Sequence, residues 1–382
     1  MEMPVSASQP GLSVVKSDGL RYSLQTTVIM YVAYSTIFVL GVVGNALVVV
    51  VVRRTPRMRT ATNVFITNLA CADLMVNLLC LPFTLLGNVY SAWLLGPFIC
   101  KMVPYLQGVS VAASVHTLVA IAAERCFAIC YPMRGPAMSD KACYYTITVI
   151  WVFSLAITSP WLVYFRLQPL EEGSSLQVCE EVWPDPMSGN IYFVVAHLVL
   201  CYLAPLGVIN VCYILVWRKV WHKSSAQDET FQEHQSVIIR TRARVIKMLV
   251  VVVLSFAFCW LPLYSLFFWV KLVGPATLSP REEAFVSAML PISQWLGASN
   301  SCINPVLYAY FNKRFRASFQ SILRSIPCLS RFNKGNNVAL KRQGCVHRRE
   351  VHRFRHNYTL RPSKRAVMQR RRADEALKET AL

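Results

Sequence analysis

Seven stretches of this chain are nearly unbroken runs of apolar residues: roughly 27–52, 62–86, 99–130, 143–163, 190–219, 243–270 and 284–310. Each reaches the about 20 residues that an α-helix needs to cross the hydrocarbon of a bilayer. The third and fifth are long enough to tilt or to protrude on the cytoplasmic side. Charges collect in the breaks between runs. The pattern predicts an all-α membrane protein: a seven-transmembrane helix bundle over 27–310, with residues 1–26 outside it. The stretch 312–326 has another rhythm, with Phe315, Phe319, Ile322 and Leu323 on one helical face and Lys313, Arg314, Arg316 and Arg324 on the other. That predicts a short eighth helix lying in the membrane interface. Residues 327–382 are polar and basic and are expected to form a disordered cytoplasmic tail.

Charge orients the bundle. The segment "RRTPRMRT" (53–60), the region of Arg134 and Lys141, the stretch 218–247 and the tail are rich in Lys and Arg. The intervening loops are not. The loop 164–189 sets Glu171, Glu172, Glu180, Glu181 and Asp185 against Arg166 alone. The positive-inside rule places the N-terminus outside the cell and the tail in the cytoplasm, and an odd number of spans requires the ends to differ in this way. No apolar core of a cleavable signal peptide precedes residue 27, so the first span is expected to serve as an uncleaved anchor. One glycosylation sequon, Asn357-Tyr358-Thr359, falls in the basic tail.

Composition agrees with a membrane body. Of 382 residues 55 % are hydrophobic and 15 % charged, with a mean hydropathy of +0.41; soluble domains carry about a quarter charged residues. The net charge of +20 sits in the tail and beside the spans, and no recognition motif accompanies it, so no nucleic-acid partner is implied. Membrane lipids are. Neither GxxxxGK[ST], HExxH nor GxSxG occurs, and the seven histidines are scattered; the chain does not read as an enzyme. With no CxxC pair among 13 cysteines, a zinc site is not indicated.

Polar residues within the apolar runs are costly, about 2.5–3.5 kcal/mol for an aspartate at a helix centre, and are functional candidates by default. Asp73 is the one acidic residue deep in a run; Asn45, Ser114, Asn300 and Asn304 sit at depths from which they can face it. Such a cluster suits Na⁺ or a proton. It equally suits a static hydrogen-bonded plug between helices, and the residues alone do not separate the two. Several intramembrane charges and internal repeats would favour a transporter, and neither is apparent.

Seven motifs, in order and on the right spans, resemble the rhodopsin-like G-protein-coupled receptors: "GN" at 44–45, "LACAD" at 69–73, "ERC" at 124–126, Trp151, Pro205, "FAFCWLP" at 256–262 and "NPVLY" at 304–308. The resemblance covers about 27–326. It implies an allosteric Na⁺ at Asp73 and no other cofactor, with a disulfide from Cys100 to Cys179. It implies an off-state pairing of Glu124 with Arg125, and a transmission core of Val115, Pro205, Phe256, Trp260 and Pro262. Span seven is expected to break at Asn304-Pro305 so that Tyr308 can swing inward. A cytoplasmic crevice lined by Arg125, Tyr213 and Lys247 would receive a heterotrimeric G protein, with arrestin and a receptor kinase as further partners. Where Cys126 stands the family usually has Tyr. Cys328, just after the interfacial helix, is a palmitoylation candidate, and Thr380 and Leu382 fit a terminal motif that adds as a strand to PDZ domains.

Ligand class can be narrowed. No Lys lies in 284–310, which argues against retinal, and Gln107 stands where amine receptors carry Asp. The mouth instead offers acid and aromatic surface, "VCEEVWPD" (178–185) with Tyr192, Phe193, Tyr264, Phe267, Phe268 and Trp269. Glu180 or Glu181 could pair with a ligand arginine, as a charge-assisted bond, or could be a solvated loop edge. The stretch from Trp93 to Arg125 and the Cys-Glu-Glu-x-Trp loop look like peptide receptors of the neuropeptide FF, SIFamide and orexin type. That resemblance implies a short C-terminally amidated peptide ligand, with Gln107, Thr84 and Gln294 either reading the amide or bonding helix to helix. A different peptide, a non-peptide ligand or signalling without ligand is compatible with the same residues.

Overall fold

The computed structural model describes residues 19–131, 138–170, 174–225, 232–274 and 278–325; for 57, 220–225, 232–246 and 323–325 it describes the backbone alone. Arg134, Glu171, Glu172, Cys328, the tail 327–382 and with it Thr380 and Leu382 lie outside the described residues. The helical bundle belongs to the first of two compact units, Met1–Phe319; the second begins at Gln320.

Seven long helices form the bundle: α1 (Leu24–Arg54), α2 (Ala61–Val89), α3 (Gly96–Cys130), α4 (Asp140–Tyr164), α5 (Pro186–Lys219, continuing to Ser225), α6 (Gln232–Val273) and α7 (Pro280–Phe311). The first six are long and apolar enough to cross a membrane. α7 is as long but more polar, because its inward face carries Ser293, Ser299, Asn300, Ser301 and Asn304, all buried. The outer surface is apolar: Val39, Trp217, Phe258 and Val306 are among the exposed large side chains. A polar interior inside an apolar coat is the arrangement that lipid selects.

α3 is the central helix. Of its most apolar window 72 % is buried, against 17 % for α4 at the edge. Trp151 of α4 donates to Asn68 Oδ1 of α2 at 2.9 Å, and Asn68 Nδ2 donates to Thr117 Oγ1 of α3 at 2.8 Å. Three helices are thereby tied through one carboxamide.

Proline shapes several helices, and the released carbonyls find donors. A proline leaves the carbonyl four residues earlier without its helical N–H. Pro305 frees Ser301 O, which accepts from Asn45 Nδ2 of α1 at 2.9 Å. Pro291 frees Ser287 O, which accepts from Tyr22 Oη at 2.7 Å. α7 is helical from Pro280 through Phe311 with Pro305 inside it, and a side chain on α1 replaces the missing donor. Gly44 lets α1 come this close, since a Cβ there would stand 2.9 Å from the Pro305 ring.

Two π-helical segments interrupt the regular winding, Val76–Cys80 in α2 and Phe193–Leu203 in α5. Each is closely followed by proline, Pro82 and Pro205. π-helical winding inside α-helices is frequent at functional sites.

The loop between α4 and α5 is a β-hairpin, β1 (Phe165–Pro169) paired antiparallel with β2 (Gln177–Glu181), Leu167 opposite Cys179 and Arg166 opposite Glu180. The disulfide Cys100–Cys179 pins β2 to the first turn of α3. A short helix, α8 (Lys313–Ser325), follows α7, with Phe315 and Phe319 buried and Lys313, Arg314 and Arg316 exposed.

Candidate functional site

A cavity of about 610 Å³ opens at the end of the bundle that carries the hairpin. Its wall is drawn from α2 to α7, both strands of the hairpin and the segment before α1. Thr84, Gln107, Glu180, Glu181, Tyr264, Phe267 and Gln294 all line it, and Trp260 is part of the same wall. Phe193 also lines it, whereas Tyr192, Phe268 and Trp269 are not among its lining residues. Phe268 is exposed, and Trp269 packs edge-on against Phe285 at 6.3 Å.

The inner part of the cavity is neutral and rich in amides. Gln107 lies eleven residues into α3, roughly 16 Å at 1.5 Å per residue. Asn88 Nδ2 donates to Gln294 Oε1 at 2.7 Å and to Tyr34 Oη at 3.2 Å. Thr84 donates to Cys80 O at 3.0 Å, and its contact with Gln107 Oε1 is longer, 3.5 Å. The Gln107 carboxamide is therefore only weakly held within the protein. The indole N–H of buried Trp260 has no hydrogen-bond partner among the described residues, and Gly297 makes room for that ring at 3.2 Å.

The mouth is charged. Arg21, from the segment before α1, and Lys271, near the end of α6, are the basic lining residues besides His197. Glu181 does not stand free as the sequence suggested. Its Oε2 accepts from Lys271 Nζ at 3.1 Å, and its Oε1 accepts from the indoles of Trp183 at 2.7 Å and Trp161 at 3.2 Å. Glu180 is exposed and makes no ion pair under 4 Å among the described residues. Trp161 stacks on His197, centroids 4.1 Å apart and planes within 6°. Lys271, Trp161 and His197 were missed in the sequence. His197 stands alone in an apolar run, the same signal that singled out Asp73, whereas Lys271 falls just past the sixth run and Trp161 is itself apolar.

Below the cavity the rings of Phe193, Tyr264, Tyr202, Phe256 and Trp260 form a connected ladder. Tyr202 and Tyr264 stack at 4.6 Å, Tyr202 meets Phe256 at 6.3 Å, and Phe256 meets Trp260 at 6.3 Å. Tyr202 Oη donates to Ala257 O at 2.7 Å, tying α5 to α6. Val115 and Pro205 are buried, and Pro262 is half-buried within α6.

At mid-bundle the Asp73 carboxylate accepts from Asn304 Nδ2 at 2.9 Å and from Ser114 Oγ at 3.4 Å. Asn45 reaches the same region through Ser301 O. Asn77, not singled out in the sequence, donates to Asp73 O at 2.7 Å and to Ser301 Oγ at 2.9 Å. The side-chain oxygens of Asn45, Asn77, Asn300 and Asn304 are buried with no donor among the described residues. Asn304 and Ser114 hold the carboxylate itself, and Asn77 holds its backbone carbonyl.

At the far end Arg125 Nε lies 2.8 Å from Glu124 Oε2, a charge contact rather than an aligned hydrogen bond. Thr62 of α2 donates to the same oxygen at 2.8 Å. Tyr213 is half-buried and Lys247 exposed. Tyr308 is buried, its ring 5.8 Å from that of Phe315. Cys126 Sγ lies 3.9 Å from Cys130 Sγ, one turn on.

Comparison with known proteins agrees with this architecture. Residues 44–308 match the family of seven-transmembrane receptors of the rhodopsin type. Human neuropeptide FF receptor 1 is 36 % identical over 331 residues, covering 84 % of this chain and 75 % of the relative. Mouse neuropeptide FF receptor 2 is 36 % identical over 307 residues, 78 % and 72 % of the two chains. A QRFP-like peptide receptor of Branchiostoma floridae is 34 % identical over 297 residues, 77 % of each. A helical bundle with this order of motifs, matched along most of its length, leaves one assignment: the chain belongs to the rhodopsin family of seven-transmembrane receptors.

Proposed function

We propose that this receptor binds a short, C-terminally amidated neuropeptide and passes the signal to a heterotrimeric G protein. The observation that carries the proposal is the chemistry of the inner cavity. Gln107, Gln294 and Asn88 present neutral carboxamides there, while Arg21 and Lys271 are at the mouth. A terminal amide offers both a donor and an acceptor to such groups. A terminal carboxylate would be a buried charge without a cation, and burying an unpaired charge is expensive. The relatives, receptors for neuropeptide FF and for QRFP-like peptides by name, support the same class.

Glu180 supplies the anionic partner for a basic residue just before the amidated end. The aromatic ladder carries the signal inward from the cavity: a ligand seated on Trp260 and Tyr264 shifts α6 against α5 and releases the crevice at Arg125, Tyr213 and Lys247. Family membership supports arrestin and a receptor kinase as further partners. The basic residues closing α1, Arg53 and Arg54, support a plasma-membrane topology with the N-terminus outside. The acceptor cluster at Asp73 fits Na⁺: Asp73, Ser114 and the orphaned oxygens of Asn300 and Asn304 would hold it. The ion would neutralise the carboxylate and favour the resting packing. Palmitoylation of Cys328 and PDZ binding through Thr380 and Leu382 belong to the same proposal.

The test is calcium and cyclic-AMP readout in cells expressing the chain, challenged with peptides ending in Arg-Phe-amide and with unrelated amidated peptides. A saturable response to the Arg-Phe-amide ends, absent in untransfected cells, is expected. Silence to every amidated peptide at normal surface expression would overturn the ligand class and leave the family standing.

A further inference from the structure

Two adjacent glutamates of β2 reach the cavity, and the structure treats them differently. Both oxygens of Glu181 are engaged: Oε2 by Lys271 at 3.1 Å, Oε1 by the indoles of Trp161 and Trp183. The pair is partly shielded, with the Lys271 and Glu181 side chains 22 % and 19 % exposed. Lys271 is itself placed from two sides. Its backbone carbonyl accepts from Asn190 Nδ2 at 3.1 Å, and its ammonium lies 5.8 Å from the Phe193 ring centre. Among the described residues Glu180 has no such partner. Its cross-strand neighbour is Arg166, whose Nε donates to Val163 O at 3.3 Å.

We infer that Lys271 sets the charge preference of the cavity: by holding Glu181 in an internal ion pair, it leaves Glu180 as the carboxylate that a cationic ligand residue meets. A ligand guanidinium that took Glu181 would leave the partly shielded Lys271 ammonium without its carboxylate, so the internal pair competes with the ligand. Lys271 is thus a specificity-determining residue that acts through Glu181 and needs no contact with the ligand. The identity of the ligand rests on the proposal above; the ion pair does not.

The test compares an Arg-Phe-amide peptide with its citrulline-Phe-amide analogue, which keeps the shape and removes the charge. The readout is the ratio of their potencies within each receptor, so expression cancels. In Glu180→Gln the preference for arginine should fall about tenfold, the loss of one charge-assisted bond. In Glu181→Gln it should fall by no more than about threefold, since that carboxylate is already engaged and only the freed Lys271 ammonium then opposes the ligand cation. Lys271→Gln should widen it about three- to tenfold by releasing Glu181, and Lys271→Gln/Glu181→Gln should return it to the parent value. A collapse in Glu181→Gln equal to that in Glu180→Gln, or no change in Lys271→Gln, would overturn the inference. If neither peptide acts on the parent receptor, the ligand proposal falls, and thermal unfolding of the purified variants decides the ion pair. The double variant should lower the midpoint no further than the larger single change; additive shifts would refute the pair.

Discussion

Pro305 has no backbone N–H, so Ser301 O depends on Asn45 Nδ2, which reaches it at 2.9 Å and also donates to Gly41 O at 2.9 Å. In lipid no water stands by to replace that donor. Asn45→Ala should therefore cost about 1–3 kcal/mol, the penalty of an unsatisfied buried carbonyl. Restoring the helical N–H should remove part of that cost, so Pro305→Ala should be less harmful, or beneficial, when Asn45 is already Ala. Thermal midpoints of the four receptors in detergent measure the coupling; strictly additive shifts would show that the two residues do not share Ser301 O. At this scale the sequence was partly legible. Asn45 and Asp73 stood out because polar atoms are rare in apolar runs. Their partners could not be read, since Asn45 meets α7 backbone and Asn77 meets Ser301, and both contacts depend on how α1, α2 and α7 pack.

At the level of elements, helix ends and turns follow local chemistry. α7 begins with Pro280 at its first position, and Glu282 accepts from both the N–H and the hydroxyl of Ser279 at 2.7 Å. Glu282 precedes the apolar stretch, and those two bonds hold its carboxyl below its ordinary pKa. A depressed folded-state pKa means that the cap is fully present above the ordinary carboxylate range and is lost as pH falls through the lowered value. Hydrogen exchange at residues 279–283 should thus be slow at pH 7 and faster well below the ordinary carboxylate range, beyond the intrinsic pH effect, with Glu282→Gln less pH-sensitive. Equal sensitivity in both would remove the cap from the account. The seven helices were legible from hydrophobic runs alone. The β-hairpin was not: Phe165 to Gln168 alternates apolar and polar, but four residues cannot separate a strand from a loop. The two π-helical segments left no periodic trace, because one extra residue per turn shifts the apolar face within an already apolar helix.

Across the whole molecule, the cavity and the ring ladder form one continuous unit. The cavity floor and the ladder share Trp260 and Tyr264. Phe256→Ala and Pro205→Ala should accordingly lower maximal signalling about threefold or more while changing peptide affinity less, since only the inward step loses contacts. Unchanged potency and maximum in both would break this route. The motifs told which family interior to expect, and the lining residues Thr84, Gln107 and Gln294 were legible as polar outliers. Which glutamate was free was not legible, because Lys271 lies 90 residues from Glu181 and only the hairpin register brings them together.

The central claim is that the neutral inner cavity reads a terminal amide. Competition binding of one peptide as amide and as free acid, on the parent receptor and on Gln107→Ala, tests it most directly. The account predicts that the acid binds the parent at least about a hundredfold more weakly, the consequence of an unpaired buried charge. In Gln107→Ala the amide should lose affinity while the acid changes little, so the ratio narrows. Equal affinity of amide and acid at the parent receptor, or an unchanged ratio in Gln107→Ala, would contradict it.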